Sequence, residues 1–224
     1  FRGEHTVRQG VAKAIKVVLP ELSRDETFRL RFLREGEVLH RLQHPNIVGF
    51  HDMEQVQLPS GESLLIMELE LLQGEPLNER LHRTGGMTPQ DAVRVVREAA
   101  EGVGMAHGLG IQHRDIKPAN LYLSSPGGTV KVLDFGIAKV RDDTGREGAA
   151  LTNTQGPPGT PAYMAPESFL PGAKPDARAD VYALGLTLAE CVLGRHPFLA
   201  TGTTITNEWQ WASVHTSGEM PSLP

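Results

Sequence analysis

Two neighbouring segments organise this chain: His113-Arg114-Asp115-Ile116-Lys117-Pro118-Ala119-Asn120 and, shortly after it, Leu133-Asp134-Phe135-Gly136. Between them lie two runs of strand-forming residues, at 121–123 and 129–133, joined by a turn rich in Ser, Pro and Gly. This pattern predicts an antiparallel hairpin, which brings the start of its first strand beside the end of its second. Asn120 should therefore lie near Asp134, and a carboxylate beside an amide oxygen suits Mg²⁺. Asp115 lies one short loop upstream, where it could accept a proton.

These segments resemble, position by position, the catalytic loop H-R-D-x-K-P-x-N and the D-F-G sequence of protein kinases. A later run, G-T-P-A-Y-M-A-P-E at 159–167, is similar to the end of the kinase activation segment. The alternative, that Asp115 and Asp134 are ordinary solvated turn acids, is disfavoured by the length of this combined match. The resemblance covers residues 11 to 198 and identifies the chain with the bacterial-type serine/threonine protein kinases.

The resemblance implies a mixed α+β fold with two lobes. We expect a small β-rich amino lobe at 1–69 and a larger, mainly helical carboxyl lobe at 70–224. It further implies a non-specific serine/threonine protein kinase that transfers the ATP γ-phosphoryl group to Ser or Thr hydroxyls of protein substrates in signal transduction, with Mg²⁺.

Composition restricts the class of partner. The 224 residues carry a formal net charge of −5 with scattered Lys and Arg, which argues against a nucleic-acid face. The single cysteine, Cys191, excludes an intrachain disulfide and is expected in the core. The longest apolar stretch, 181–193, is too short to span a membrane. We therefore expect no membrane contact within this segment and a cytoplasmic location, with any anchor of the parent protein lying elsewhere.

The resemblance assigns roles to the central residues. Asp115 would be the catalytic base, and Lys117 would lie close to the γ-phosphate as charge develops. Asn120 and Asp134 would hold Mg²⁺ and, through it, ATP. Thr160 would hydrogen-bond toward Asp115 and Lys117, an arrangement similar to that of serine/threonine rather than tyrosine kinases.

The amino half carries a second set of candidates. Lys16, in the apolar strand at 11–18, resembles the lysine that holds the ATP α- and β-phosphates. Lys13 faces the other side of that strand and is expected to be solvated. A capping box at 23–26 opens a helix whose apolar stripe includes Glu35. A carboxylate on that face needs a partner, and Lys16 is the natural one; the alternative is a partly exposed helix edge.

Adenine binding is expected at the end of the buried run 64–67. By position, Met67 resembles the gatekeeper of kinases, and Glu68 to Glu70 resemble the hinge whose backbone bonds adenine. The segment that follows is slightly longer than is usual in the family, which leaves open which hinge amide meets the ring. Met67 is alternatively a plain core residue.

The carboxyl half supplies scaffold. Thr88 and Pro89 predict a helix start, and the helix that follows has an apolar stripe formed by Ala92, Val96, Ala99, Val103 and Ala106. Asp180 is expected to cap a second, almost wholly apolar helix and, by resemblance, to bond the catalytic-loop backbone. One more helix is expected around Trp209 and Trp211. By the same resemblance His113 has a structural role.

Regulation is expected in the loop before residue 160. Thr152 and Thr154 occupy a Thr-x-Thr position similar to the autophosphorylation pair of bacterial kinases. A phosphate there could dock on Arg114, and a kinase homodimer could carry out the reaction. The alternative is that both are plain solvated loop threonines.

Residues 1–10 contain only Gly3 and Gly10, so the family's Gly-rich loop is not found ahead of Lys16. We therefore expect a kinase domain truncated at both ends, with the family's arginine partner of Glu167 beyond residue 224. The missing loop leaves an alternative function, that of a catalytically weak or inactive nucleotide-binding pseudokinase or scaffold. A small-molecule kinase is disfavoured by the Ala-Pro-Glu run at 165–167.

Overall fold

A computed structural model describes residues 2–4, 12–18, 26, 29–30, 32, 36, 39–135, 160–170, 172, 174–200, 202, 204–218 and 220. Their contacts form two compact units, and the first boundary along the chain falls between Gln73 and Gly74. The first unit is built on a four-stranded sheet, whereas helices dominate the second. This arrangement confirms the predicted α+β class.

The sheet of the first unit is antiparallel, with the strand order β1-β2-β4-β3. Its strands are β1 (Arg2–Glu4), β2 (Ala12–Val17), β3 (Phe50–Gln57) and β4 (Ser63–Glu70). In the pairing of β2 with β4, Lys16 lies opposite Met67. Directly opposed residues share a face, so Lys16 lies on the face that carries the buried side chains of Leu65 and Met67.

The second unit combines a small sheet with five helices among its described residues. The sheet is antiparallel in the order β5-β6-β7, with β5 at Gly74–Pro76, β6 at Leu121–Ser124 and β7 at Val130–Val132. The helices are α1 (Leu77–Thr84), α2 (Pro89–Gly108), α3 (Ala177–Leu193), α4 (Pro197–Ala200) and α5 (Glu208–Ser217). The predicted hairpin is confirmed, because Leu121 pairs with Val132 and Leu123 with Val130. Helix α5 likewise confirms the helix expected around the two tryptophans.

Helix α2 begins as predicted, since the Thr88 side chain accepts a hydrogen bond from the Asp91 amide at 3.2 Å. Its buried face differs from the expected stripe: Val95 is buried, whereas Val96 is only half-buried, and Gly102 is buried in addition. Val95 lies three residues after Ala92 and four before Ala99, which is the spacing of one helical face. Helix α2 packs against both β7 of the small sheet and α3.

The amino end of α3 corrects one prediction. Asp176, not Asp180, is the N-cap, because its side chain accepts a hydrogen bond from the Arg178 amide at 2.9 Å. The helix begins one turn earlier than the apolar run suggested: its first turn contains Arg178 and Asp180 and therefore precedes the continuous apolar run. Asp180 therefore lies inside the first turn, 2% exposed. Cys191 is buried in the core, as predicted.

The carboxyl ends of α1 and α3 meet backbone to backbone. Gly85 and Gly194 end these helices with φ angles of 71°, in the left-handed region that favours glycine. A Cβ atom on Gly194 would lie 2.0 Å from the carbonyl oxygen of Gly85. Just beyond, the Met87 amide donates to the Cys191 carbonyl at 2.8 Å. No side chain larger than hydrogen fits at Gly194.

Among the described residues, no helix has both the length and the apolar character that crossing a bilayer requires.

Candidate active site

The Asp115 carboxylate is the centre of a hydrogen-bond network in the loop between α2 and β6. Its Oδ1 accepts from the Thr160 hydroxyl at 2.9 Å and from the Thr160 amide at 3.1 Å. Its Oδ2 lies 3.0 Å from Lys117 Nζ and 3.2 Å from Asn120 Nδ2. Donors on both oxygens fix the orientation of the carboxylate.

Lys117 and Thr160 complete this network. Lys117 Nζ donates to the Thr160 hydroxyl oxygen at 2.6 Å, while that hydroxyl donates its own proton to Asp115. The predicted contacts of Thr160 with both residues are therefore present. Proline at 118 begins the 3₁₀ turn Pro118–Asn120, which carries the chain from Lys117 into β6. An ammonium group and a carboxylate thus share one hydroxyl.

Asn120 is oriented by its amide nitrogen. Nδ2 donates to the Asp115 carbonyl at 2.7 Å as well as to the Asp115 side chain, so the side-chain oxygen of Asn120 is the end available as a metal ligand. The backbone of Asn120 accepts from the Leu133 amide at 2.9 Å, which closes the hairpin beside Asp134.

Asp134 follows β7 with φ at 52° and an exposed side chain. A positive φ is uncommon outside glycine, although aspartate tolerates it better than most residues. The hairpin brings Asn120 and Asp134 to the same end of the small sheet, as predicted from the sequence. A carboxylate and an amide oxygen form a hard-oxygen pair, so these residues fit Mg²⁺ better than they fit a soft metal.

The backbone of the same loop is held by Asp180. This carboxylate accepts from the His113 and Arg114 amides, each at 2.8 Å, and lies 2.7 Å from His107 Nε2. The predicted bond between Asp180 and the catalytic loop is therefore present. Arg114 has φ at 63°, a strained conformation for a residue with a side chain, and its amide is one of the two that Asp180 binds. His107 was not singled out from the sequence, because its partner lies 73 positions away.

The buried His113 ring joins the two halves of the site. Its Nε2 donates to the Leu133 carbonyl at 2.6 Å, and its Nδ1 accepts from the Asp115 amide at 3.2 Å. Burial lowers the pKa of His113 below its ordinary value, which keeps the ring neutral. The ring also lies 4.8 Å from that of Phe135. These contacts agree with the structural role implied by the resemblance.

In the first unit, Lys13 differs from its predicted solvated state. It forms an ion pair with Glu68, and each side chain is only about a fifth exposed, at 21% and 20%. The register explains the pair: Ile15 lies opposite Glu68, and Lys13 shares the Ile15 face of β2. Glu68 therefore lies on the face away from Lys16.

Glu70 ends β4 with both its backbone and its side chain bound to Gly49. Its amide donates to the Gly49 carbonyl at 2.7 Å, and its carboxylate accepts from the Gly49 amide at 2.9 Å. Met67 is 3% exposed. The hinge role of Glu68 and Glu70 stays a prediction. The Glu70 amide already donates to Gly49, the residue just before β3.

Several candidates lie outside the described residues: Glu35, Gly136, Thr152 and Thr154. The exposed Arg114 side chain donates from Nε to the Gln112 side chain at 3.3 Å. Its docking role for a phosphate stays a prediction.

Comparisons with known proteins place these observations in a family. The sequence profile described as the protein kinase domain matches residues 4–220. The serine/threonine-protein kinase PknB of Mycobacterium tuberculosis is 40% identical over 185 residues, which are 83% of this chain and 29% of that protein. The serine/threonine-protein kinase PkaA of Streptomyces coelicolor is 41% identical over 191 residues, which are 84% of this chain and 33% of that protein.

Solved structures agree with the sequence comparison. A crystal structure of the Mycobacterium tuberculosis PknI kinase domain, a double mutant, has a TM-score of 0.66 and 28% identity. The match covers 92% of this chain and 72% of that one. The fold expected from the sequence is confirmed. The chain spans about a third of the length of the curated relatives named above.

Proposed function

We propose that this chain, which belongs to the protein kinase family, transfers the γ-phosphoryl group of ATP to serine or threonine hydroxyls of proteins. The observation that carries this proposal is the Asp115 carboxylate, held by Thr160, Lys117 and Asn120. The relatives named as serine/threonine-protein kinases support the choice of acceptor.

In the reaction, the oxygen of the substrate hydroxyl forms a bond with the γ-phosphorus while the bond between that phosphorus and the ADP oxygen breaks. The hydroxyl proton passes to Asp115, and positioned bases of this kind typically contribute about 10²- to 10⁴-fold to the rate. A carboxylate has about four acceptor positions, and the four contacts of Asp115 described above occupy them. We therefore propose that Lys117 turns toward the γ-phosphoryl oxygens and releases Oδ2 for the proton.

The remaining binding residues follow from the same proposal. Asn120 and Asp134 would hold Mg²⁺, which neutralises charge on the phosphates when bound. Lys16 would contact the α- and β-phosphates, with Glu35 as its partner. Because the Glu70 amide donates to Gly49, we expect adenine to meet an amide at 71–73 instead.

Regulation and partners extend the proposal beyond the described residues. Thr152 and Thr154 would be autophosphorylated, with Arg114 receiving the phosphate and a homodimer carrying out the reaction. The other partners would be cytoplasmic proteins that carry a Ser or Thr acceptor. These assignments rest on the resemblance of the sequence to bacterial kinases.

The test is phosphoryl transfer to a generic basic protein, followed by identification of the phosphorylated amino acid. We expect phosphoserine or phosphothreonine from the wild-type chain and a rate about 10²- to 10⁴-fold lower from Asp115→Asn, which cannot accept the proton. The exposed Asp52→Asn variant on β3 is the matched control and should keep the wild-type rate. Phosphate on tyrosine alone, or an Asp115→Asn rate equal to wild type, would overturn the proposal.

A further inference from the structure

Two buried histidines hold the backbone that follows Thr160. His215 of α5 lies with Nε2 at 3.0 Å from the Pro161 carbonyl oxygen. His196, just before α4, lies with Nε2 at 2.7 Å from the Ala162 carbonyl oxygen. A carbonyl oxygen has no proton to give, so each ring must donate from Nε2. The side chains are 7% and 6% exposed.

The other ring nitrogen of each histidine defines the protonation state that fits this site. Nδ1 of His215 lies 2.7 Å from the Tyr182 hydroxyl, which can donate to it only while the ring is neutral. Nδ1 of His196 is buried and has no hydrogen-bond partner among the described residues. A second proton on either ring would therefore reverse one hydrogen bond or place a charged donor without an acceptor.

The surroundings of the two rings are mainly aromatic. The ring of Trp211 lies 4.9 Å from His196 and 5.8 Å from His215, and the two imidazoles are 6.5 Å apart. Two phenylalanine rings, those of Phe169 and Phe198, complete the cluster around His215. Burial in this cluster lowers the pKa of both histidines, that of His196 to about 4. Both rings are therefore neutral at physiological pH.

Few titratable groups face this cluster. Tyr163 lies 5.1 Å from His196 and donates its hydroxyl to Glu190 on α3 at 2.6 Å. Burial raises the pKa of Glu190, which weakens any counter-charge it could offer. Tyr182 faces His215, and the charge of Glu167 adds to burial in raising the pKa of Tyr182. None of these groups forms a described ion pair with an imidazole.

The segment that these histidines hold is coupled to the Asp115 network through one peptide bond. Pro161–Tyr163 is a single 3₁₀ turn, and Thr160 is the residue immediately before it. Both the amide and the hydroxyl of Thr160 bind Asp115. A shift of the Pro161 carbonyl therefore moves the two Thr160 donors as well, because the turn is short and its backbone torsions are restricted.

We propose that His215 and His196 are positioning residues for phosphoryl transfer, which as neutral donors to the 161–162 carbonyls hold Thr160 against Asp115. This inference rests on the proposed kinase activity. Because neither ring contacts a residue proposed to bind ATP, their loss should lower kcat and leave the KM for ATP unchanged. A purely structural role would require only that the rings fill the aromatic cluster.

The experiment distinguishes the effect of losing the Nε2 hydrogen-bond donor from the effect of losing the aromatic ring. His215→Phe and His196→Phe keep an aromatic ring and remove the Nε2 donor, whereas His215→Gln and His196→Gln keep a donor near the Nε2 position. We expect the Thr160 amide to exchange about tenfold faster in the Phe variants by NMR, with kcat lowered about as much. The Gln variants should recover most of both losses. His82→Phe, exposed on α1, is the control and should change neither.

Three results would overturn the inference. One is an unchanged Thr160 exchange rate in the Phe variants. Another is an equal loss of kcat in the Phe and Gln variants. Either outcome would mean that the two rings act only by packing. The third is an imidazole ¹⁵N spectrum of the wild-type chain in which either ring lacks a proton on Nε2 or carries one on Nδ1. That measurement keeps the inference falsifiable even if a variant fails to fold. If the wild-type chain transfers no phosphate, the proposed function fails while the exchange and tautomer results still test the positioning.

Discussion

At the scale of single residues, the Thr160 hydroxyl is the group that joins the base to the lysine. It accepts from Lys117 at 2.6 Å and donates to Asp115 at 2.9 Å. Thr160→Val keeps the branched shape and removes the oxygen. We expect kcat to fall about tenfold or more, because the positions of Asp115 and Lys117 become less defined. Initial rates at saturating MgATP measure this effect.

Thr160→Ser serves as the control for that substitution, because it retains the hydroxyl and should stay close to wild type. The midpoint of thermal unfolding should change little in either variant, since Thr160 is only half-buried. A Val variant as active as the Ser variant would show that the hydroxyl bridge has no part in the reaction.

The sequence predicted the members of this network but not the ion pair that Lys13 forms in the first unit. Asp115, Lys117 and Thr160 could be assigned because their spacing matches a known pattern of residues. The ion pair of Lys13 with Glu68 could not, because it depends on the register between strands about 55 positions apart. Alternation along one strand gives the face of a side chain and says nothing about what lies across from it.

At the scale of secondary-structure elements, the first turn of α3 supports the catalytic loop through Asp180. Asp180→Asn retains one acceptor oxygen and turns an NH₂ group toward one of the two loop amides. We expect the free energy of unfolding to fall by about 1–3 kcal/mol, the cost of leaving a buried polar group unpaired. Urea denaturation measures it. Asp176→Asn, at the exposed N-cap of the same helix, should leave the midpoint nearly unchanged, and equal losses would contradict this account.

The contact between the ends of α1 and α3 gives a second prediction at this scale. Gly194→Ala places a Cβ atom against the Gly85 carbonyl at a φ of 71°, so we expect a loss of at least ~2 kcal/mol in unfolding free energy. Gly185→Ala lies on the same helix, in open space, and should stabilise by up to ~1 kcal/mol. We expect the midpoint of thermal unfolding to fall in Gly194→Ala and to rise in Gly185→Ala. A neutral Gly194→Ala would show that the backbones can separate without cost.

Element boundaries were predictable where a cap or a turn residue marks them. Thr88 and Pro89 predicted the start of α2 correctly, because the signal is local. The sequence pattern puts the start of α3 too late, since the apolar run follows Asp180 while the cap, Asp176, precedes a first turn that contains Arg178 and Asp180. The burial of Val95 instead of Val96 was not predictable for a different reason. Several faces of α2 are apolar, and packing selects which of them is buried.

At the scale of the whole molecule, buried histidines make stability depend on pH. The pKa of His196 falls from 6.5 to about 4 on folding, so the unfolded chain binds this proton more readily. The free energy of unfolding therefore decreases as pH falls below 6.5 and stops decreasing below about 4. The contribution is at most ~3.5 kcal/mol, since one pKa unit corresponds to about 1.4 kcal/mol. Thermal midpoints at neutral pH and at about pH 5 should differ less in His196→Gln than in wild type.

Glu190 contributes with the opposite sign. Burial raises its pKa above 4.5, so the folded carboxyl binds its proton more tightly, and stability is gained as pH falls toward 4.5. His196→Gln leaves that contribution in place, which isolates the histidine. The exposed His82→Gln variant should follow the wild-type curve. Parallel curves for wild type and His196→Gln would rule out the histidine as the cause.

The junction of Gly85 with Gly194 also bears on how the protein is made. A ribosome releases the amino end first, so the end of α1 emerges about a hundred residues before the glycine that lies against it. At roughly 5–20 residues per second, that interval lasts on the order of 5–20 seconds. During this time the carboxyl end of α1 lacks its contact with Gly194, although the helix can already pack against β5 and β6. The first helix of the second unit is thus synthesised early, but the backbone contact at its carboxyl end forms late.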